Sequence, residues 1–157
     1  MQLNHILCPV DFSSHNKSAI KFSIELATAN QSEICFLHVH PPALFEASGE
    51  FDVEKKSIDV LDEIVEFTEP LSGNSGLRIR NMVEFGLPVE RITGFVLENR
   101  IDLIVMSSHG RTGFGRLVLG STAEGVVRHA TCPVLVTKAT EESAGESSES
   151  GMEVHQR

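Results

Sequence analysis

The sequence predicts an α/β fold: a doubly wound, Rossmann-like, five-stranded parallel sheet with helices on both faces. Three observations lead there. Short apolar runs alternate with longer segments of helical period through residues 1–138. Strands that alternate with helices need crossover connections, and these make a sheet parallel. The runs at 5–10 and 101–106 are nearly continuous in apolar residues, as expected of strands covered by helices on both sides.

The elements follow in order. "HILCPV" (5–10) reads as the first strand. Residues 14–30 read as a helix, with Ile20, Ile24 and Ala27 on one face and Phe22 and Leu26 beside them. "EICFLHV" (33–39) is the second strand, and "PPALFEASGE" a loop. Residues 51–70 form an acidic amphipathic helix whose stripe is Ile58, Leu61, Ile64 and Val65. "LRIRNMVEF" (77–85) is the third strand. "PVERITGFVLEN" is a helix with Pro88 in its first turn, where the missing N–H does no harm. "IDLIVMS" is the fourth strand, "TAEGVVRHA" a helix and "PVLVTK" (133–138) the fifth strand.

Bulk properties narrow the function. A length of 157 residues suits one domain with a sizeable core. No apolar run approaches the roughly 20 residues needed to span a bilayer. "MQLNHILCPVDF" has no basic segment ahead of its apolar run, so no signal peptide is expected and the location expected is cytoplasmic. Cys8, Cys35 and Cys132 lack CxxC spacing and read as buried or half-buried thiols. A net charge of −9 argues against nucleic acid as the main partner. Residues 139–157, "ATEESAGESSESGMEVHQR", hold five glutamates against one arginine and almost no apolar residue, so a disordered acidic tail is expected. With the tail at −4, residues 1–138 carry −5.

One loop stands apart. "MSSHGRTGFGRLVLGST" (106–122) holds four glycines, two arginines and no carboxylate. It joins the carboxyl end of a strand to the start of a helix, where ligands bind in doubly wound sheets. Glycines let backbone N–H groups approach an anion, and a helix N-terminus adds unpaired N–H groups and a positive dipole end. The composition fits a polyphosphate. It also fits a plain turn closed by a capping box, Ser121 with Glu124. Walker A fails, because Ser121 stands where its lysine belongs, and the G-x-G-x-x-G pattern fails at Val118. His38 and His40 would share a strand face, but no third ligand has clear spacing, so no metal site is expected. His109 is expected to hydrogen-bond within the loop.

Spacing in "SSHGRTGFGRLVLGS" resembles the nucleotide loop of universal stress proteins, G-x-x-G, nine residues, then G-S/T. Gly110, residues 111–119, Gly120 and Ser121 match, and Ser107 replaces the first glycine. The resemblance extends over residues 1–138 through "ILCPVDFS", "LHV" and "ATCPVLVTK". It implies an ATP-binding regulatory protein of stress response, with magnesium carried on the phosphates. It places the adenine against Val10, Asp11 and Val39, and the ribose by Met106 and Ser107. The phosphates would then lie between Gly110 and Arg111 on one side and Gly120, Ser121 and Thr122 on the other. It also implies a homodimer paired through 133–138. No catalytic residue is assigned. The loop has no carboxylate to orient a water, so hydrolysis is expected to be slow or absent. A weak ATPase stays open as an alternative. So does a dimeric interaction module that binds no nucleotide, which Ser107 keeps in view.

Overall fold

The structure, a computed structural model, describes residues 2–41, 53–73, 75–109 and 119–138. Among the described residues nine elements alternate: β1 (His5–Pro9), α1 (Asn16–Asn30), β2 (Glu33–His40), α2 (Val53–Ser72), β3 (Arg78–Phe85), α3 (Pro88–Glu98), β4 (Leu103–Ser107), α4 (Ser121–His129) and β5 (Val134–Thr137). The five strands form one sheet in the order β3-β2-β1-β4-β5, and every pairing is parallel. The chain winds outward from β1 to β3, then crosses to the other side of β1 for β4 and β5. The expected doubly wound architecture is the one observed.

Alternation along the central strands sorts side chains into two cores. Ile6, Cys8, Ile34, Phe36, Leu103 and Val105 pack with α1 and α2. Leu7, Cys35, Leu37, Ile104 and Met106 pack with α3 and α4. Both faces are covered, which is why these strands read as continuous apolar runs. Removing a side chain such as Phe36 or Ile104 from water contributes about 1.5–3 kcal/mol each; both are fully buried. Cys8 and Cys35, on opposite faces, are free thiols whose pKa burial pushes up to about 12. They behave as small apolar groups. Cys132 is half-buried, also free.

Two helix faces differ from the sequence reading. In α2 the buried ridge is Val60, Ile64 and Thr68, while Ile58 and Val65 are 55 % and 41 % exposed. Spacing of four selects the true face, and it includes a threonine whose hydroxyl donates to the Ile64 carbonyl at 2.8 Å. A polar residue satisfied inside its own helix is hidden from a count of apolar residues. In α1 the buried ridge is Ala19, Ser23 and Ala27 beside Ile20, and Phe22 is 42 % exposed. Small side chains let the helix lie close to the sheet, so the largest aromatic is turned outward. Among the described residues no helix is long and apolar enough to cross a membrane.

Candidate functional site

A cleft of about 430 Å³ opens at the carboxyl ends of the strands. Its position follows from the topology. β1 pairs with β4 only at Ile6↔Leu103 and Leu7↔Ile104. Beyond that register β1 continues to Pro9 and β4 to Ser107, and the two strands part. That is the switch point of the strand order. Eight of the ten sequence-predicted residues line this one cleft: Val10, Asp11, Val39, Met106, Ser107, Gly120, Ser121 and Thr122. Gly110 and Arg111 lie outside the described residues, as do the loop segment 110–118 and the tail 139–157.

The β1–α1 turn forms one wall. Asp11 Oδ1 accepts from the Ser13 N–H at 3.0 Å and the Ser13 hydroxyl at 2.7 Å, closing an Asx-type turn. Asn16, 1 % exposed, bridges the turn: its amide donates to the Pro9 carbonyl at 3.1 Å, and its Oδ1 accepts from the Asp11 N–H at 3.2 Å. Phe12 has φ of 61°, a left-handed conformation that a bulky residue adopts only when its surroundings hold it. Its ring stacks at 4.7 Å from His38 and meets Phe67 edge-on at 5.7 Å.

The end of β2 forms the floor. The Leu37 carbonyl accepts from the Val10 N–H at 2.8 Å, so it faces β1, and the His40 carbonyl accepts from the Gly86 N–H at 3.0 Å, so it faces away from β1. Backbone groups alternate sides along a strand, which turns the Val39 N–H and C=O toward β1. Pairing with β1 ends at Pro9↔Leu37. The next rung would join the Val39 N–H to the Val10 carbonyl. That carbonyl instead accepts from His38 Nδ1 at 2.7 Å. Among the described residues, the Val39 N–H and C=O are left as an open donor–acceptor pair on the cleft.

The start of α4 forms the opposite wall. Gly120 is the N-cap and supplies no side chain, and the first helical bond runs from the Glu124 N–H to the Gly120 carbonyl at 2.8 Å. The N–H groups of Ser121, Thr122 and Ala123 head the helix without a side-chain cap, at its positive end. The capping box that Ser121 and Glu124 also fit in sequence is not formed. Ser121 is the first helical residue, not the cap, and the Glu124 carboxylate accepts from Arg128 at 2.9 Å one turn along. An i,i+4 pair has captured the carboxylate that a box needs.

Ser107 is buried, and its hydroxyl donates to the His109 carbonyl at 2.8 Å. The Ser108 hydroxyl lies 3.0 Å from His109 Nδ1, which is the local bonding expected of His109. Both serines therefore shape the start of the loop. His40 shares a face with His38, their ring centroids 6.0 Å apart. Among the described residues no group of three or more potential ligands is arranged to hold a metal ion.

Phe12, Asn16, His38 and Lys56 also line the cleft and were not assigned to it from sequence. A polar His38 inside an apolar strand was the one available signal, since a buried imidazole needs a partner. Lys56 reaches the cleft only through the docking of α2.

His40 has a lowered pKa, chiefly from burial, then from Lys56 on α2 and His38 beside it, with Glu63 opposing. The folded state thus keeps His40 neutral while the unfolded chain takes up a proton near the usual 6.5. Stability is expected to be level above pH 6.5 as far as His40 is concerned. It should fall as pH drops below that value toward the folded-state pKa. Thermal melts across this window should show the fall, and His40→Phe should flatten it.

Residues 2–138 match the profile of the Universal stress protein family. Universal stress protein MJ0531 of Methanocaldococcus jannaschii is 31 % identical over 137 residues, covering 85 % of this chain and 81 % of its own. The solved structure of the MJ0577 protein of the same organism superposes with a TM-score of 0.77 at 27 % identity, covering 89 % of this chain and 99 % of that one. A universal stress protein of Archaeoglobus fulgidus, solved in complex with dAMP, shares the fold at a TM-score of 0.63 and 21 % identity, with 87 % and 98 % covered.

Proposed function

The chain belongs to the universal stress protein family, and from that premise we propose that it is an adenine-nucleotide-binding regulatory protein, a state sensor and not a catalyst. One observation carries the reading. The switch-point cleft sets an open backbone donor–acceptor pair, at Val39, opposite an uncapped helix N-terminus at Ser121–Ala123. The first suits a base edge and the second suits phosphate. The dAMP complex of the Archaeoglobus fulgidus relative agrees with this class of ligand.

In this reading the Val39 N–H donates to N1 of adenine and the Val39 carbonyl accepts from the 6-amino group. Val10 and Asp11 flank the base, and Met106 and Ser107 flank the ribose. The triphosphate lies on the N–H groups of Ser121, Thr122 and Ala123 beside Gly120, with Gly110 and Arg111 on its other side. Magnesium would be held through the phosphates and would screen their charge. Asp11 and Glu63 are the carboxylates among the described residues of the cleft, and Asp11 is engaged with Ser13. Neither heads α4, and the carboxylate in its first turn, Glu124, is paired with Arg128, so among the described residues no carboxylate is left at the head of α4 to orient an attacking water. Hydrolysis is expected below roughly one turnover per second, the low end of enzyme rates.

Residues 1–138 form the nucleotide-binding domain in this reading, 139–157 a tail, and the location is cytoplasmic. The protein is a homodimer. β5 ends the sheet, and its residues Val134–Thr137 are uncharged and only half-buried within one chain. A second copy paired on that edge would satisfy its backbone.

The base-reading edge makes the test. Inosine triphosphate keeps the ribose and phosphates but carries a hydrogen on N1 and an oxygen at position 6. Both then face like groups on Val39. ATP is expected to bind at least about 100-fold more tightly than ITP, because unpaired or opposed polar groups are heavily penalised in a site built for hydrogen bonding. Equal affinities would remove Val39 from base recognition.

A further inference from the structure

We propose that His38 is a positioning residue: by binding the Val10 carbonyl, it withholds that carbonyl from the Val39 N–H and keeps the base-reading edge open. The proposal rests on the assignment of Val39 to base recognition, but its structural half can be tested without any nucleotide.

Two donors, His38 Nδ1 and the Val39 N–H, are within reach of one carbonyl, that of Val10. In a parallel ladder the bonds are evenly spaced, so the rung after Val10 N–H to Leu37 C=O is Val39 N–H to Val10 C=O. Nothing in the register prevents it: β1 and β2 pair in step over five residues, from His5↔Glu33 to Pro9↔Leu37. The rung is missing, and the Val10 carbonyl is engaged by the His38 ring instead. His38 Nδ1 lies 2.7 Å from the Val10 oxygen. A carbonyl only accepts, so Nδ1 carries the hydrogen, which fixes the tautomer. His38 is buried and its ring is stacked on Phe12, which holds the imidazole in place. One residue earlier, Asn16 caps the Pro9 carbonyl in the same way. Side chains thus take the carbonyl of Pro9, the last residue of β1, and that of Val10 just after it, and pairing with β2 stops at Pro9↔Leu37. The unused partner, Val39, faces the cleft.

Paired substitutions separate this role from packing. Asn carries its amide nitrogen at the same place along the side chain as His Nδ1. Leu has nearly the shape of Asn and no donor. Both lose the stacking on Phe12, so their difference reports the hydrogen bond alone.

Amide hydrogen exchange on the ligand-free protein tests the first half. In wild type and His38→Asn the Val39 amide is expected to exchange at least about 10-fold faster than the ladder amide of Leu37. In His38→Leu it should become protected as the rung closes. A Val39 amide as protected as Leu37 in the wild type would overturn the proposal, whatever the variants do. Unchanged exchange in His38→Leu would overturn it too.

Binding tests the second half. His38→Leu should bring the ATP-to-ITP preference from about 100-fold to within about threefold, while affinity for inorganic tripolyphosphate stays unchanged. His38→Asn should keep the preference. Loss of ATP and tripolyphosphate binding together in His38→Leu, or a full preference retained in it, would reject the positioning role. A wild type that shows the open Val39 amide yet binds neither ligand supports the positioning and rejects the nucleotide reading, so the two failures are distinct.

Discussion

Gly120→Asp should abolish ATP binding, by at least about 100-fold, without lowering the melting temperature. The two effects come from one carboxylate. Gly120 has φ of −61° and ψ of 150°, a conformation any residue adopts, so the backbone accepts the change. At the N-cap the aspartate accepts from the N–H groups of Thr122 and Ala123, the donors assigned to phosphate. Asp caps better than Gly by a few tenths of a kcal/mol and adds a favourable dipole term of about 0.3–1 kcal/mol. The helix is stabilised and the anion site is filled by the protein itself. Calorimetric titration with Mg-ATP beside a thermal melt separates this from misfolding. Binding retained at wild-type strength would place the phosphates elsewhere.

Asn16→Ala has the larger effect on stability. Its amide meets the Pro9 carbonyl and the Asp11 N–H, and the residue is almost fully buried. Alanine strips both groups of their partner, and both bonds are part-buried. Each buried group left unsatisfied costs about 1–3 kcal/mol. The sum, about 2–6 kcal/mol, corresponds to a melting temperature lower by roughly 5–20 °C for a domain of this size. Nucleotide affinity should fall as well, because Val10, Asp11 and Phe12 hang on this turn. A drop of under about 3 °C would mean that the turn is held by Asp11 and Ser13 alone.

The sheet was legible in the sequence because burial on both faces leaves a plain mark. Strands β1, β2 and β4 are apolar in both registers, and this alone implies helices above and below. The helix faces were less legible. Sequence spacing found Ile64, which is buried, and Leu61, which packs against the core, but also Ile58 and Val65, which are exposed; it missed Val60 and Thr68. Small residues on α1, and a threonine satisfied by its own helix on α2, carry no signal in an apolar count. At the site, the loop pointed to the α4 N-terminus because glycine spacing and the absence of carboxylates are properties of composition. The alternative reading of a capping box is not met, since Glu124 pairs with Arg128 instead, a competition decided by side-chain geometry. The roles of His38, Asn16 and the left-handed Phe12 were not legible. Each depends on a partner brought from another strand or turn, and none leaves a local pattern.

In the proposed complex two backbone groups, the open edge at Val39 and the head of α4, meet one nucleotide. Titration of nucleotide-stripped, ¹⁵N-labelled protein with Mg-ATP, followed by amide chemical shifts, tests that most directly. The account predicts that the Val39, Thr122 and Ala123 amides shift together and saturate at micromolar ATP, while amides at the amino ends of the strands stay in place. Shifts confined to other surfaces, or none at millimolar ATP, would contradict it.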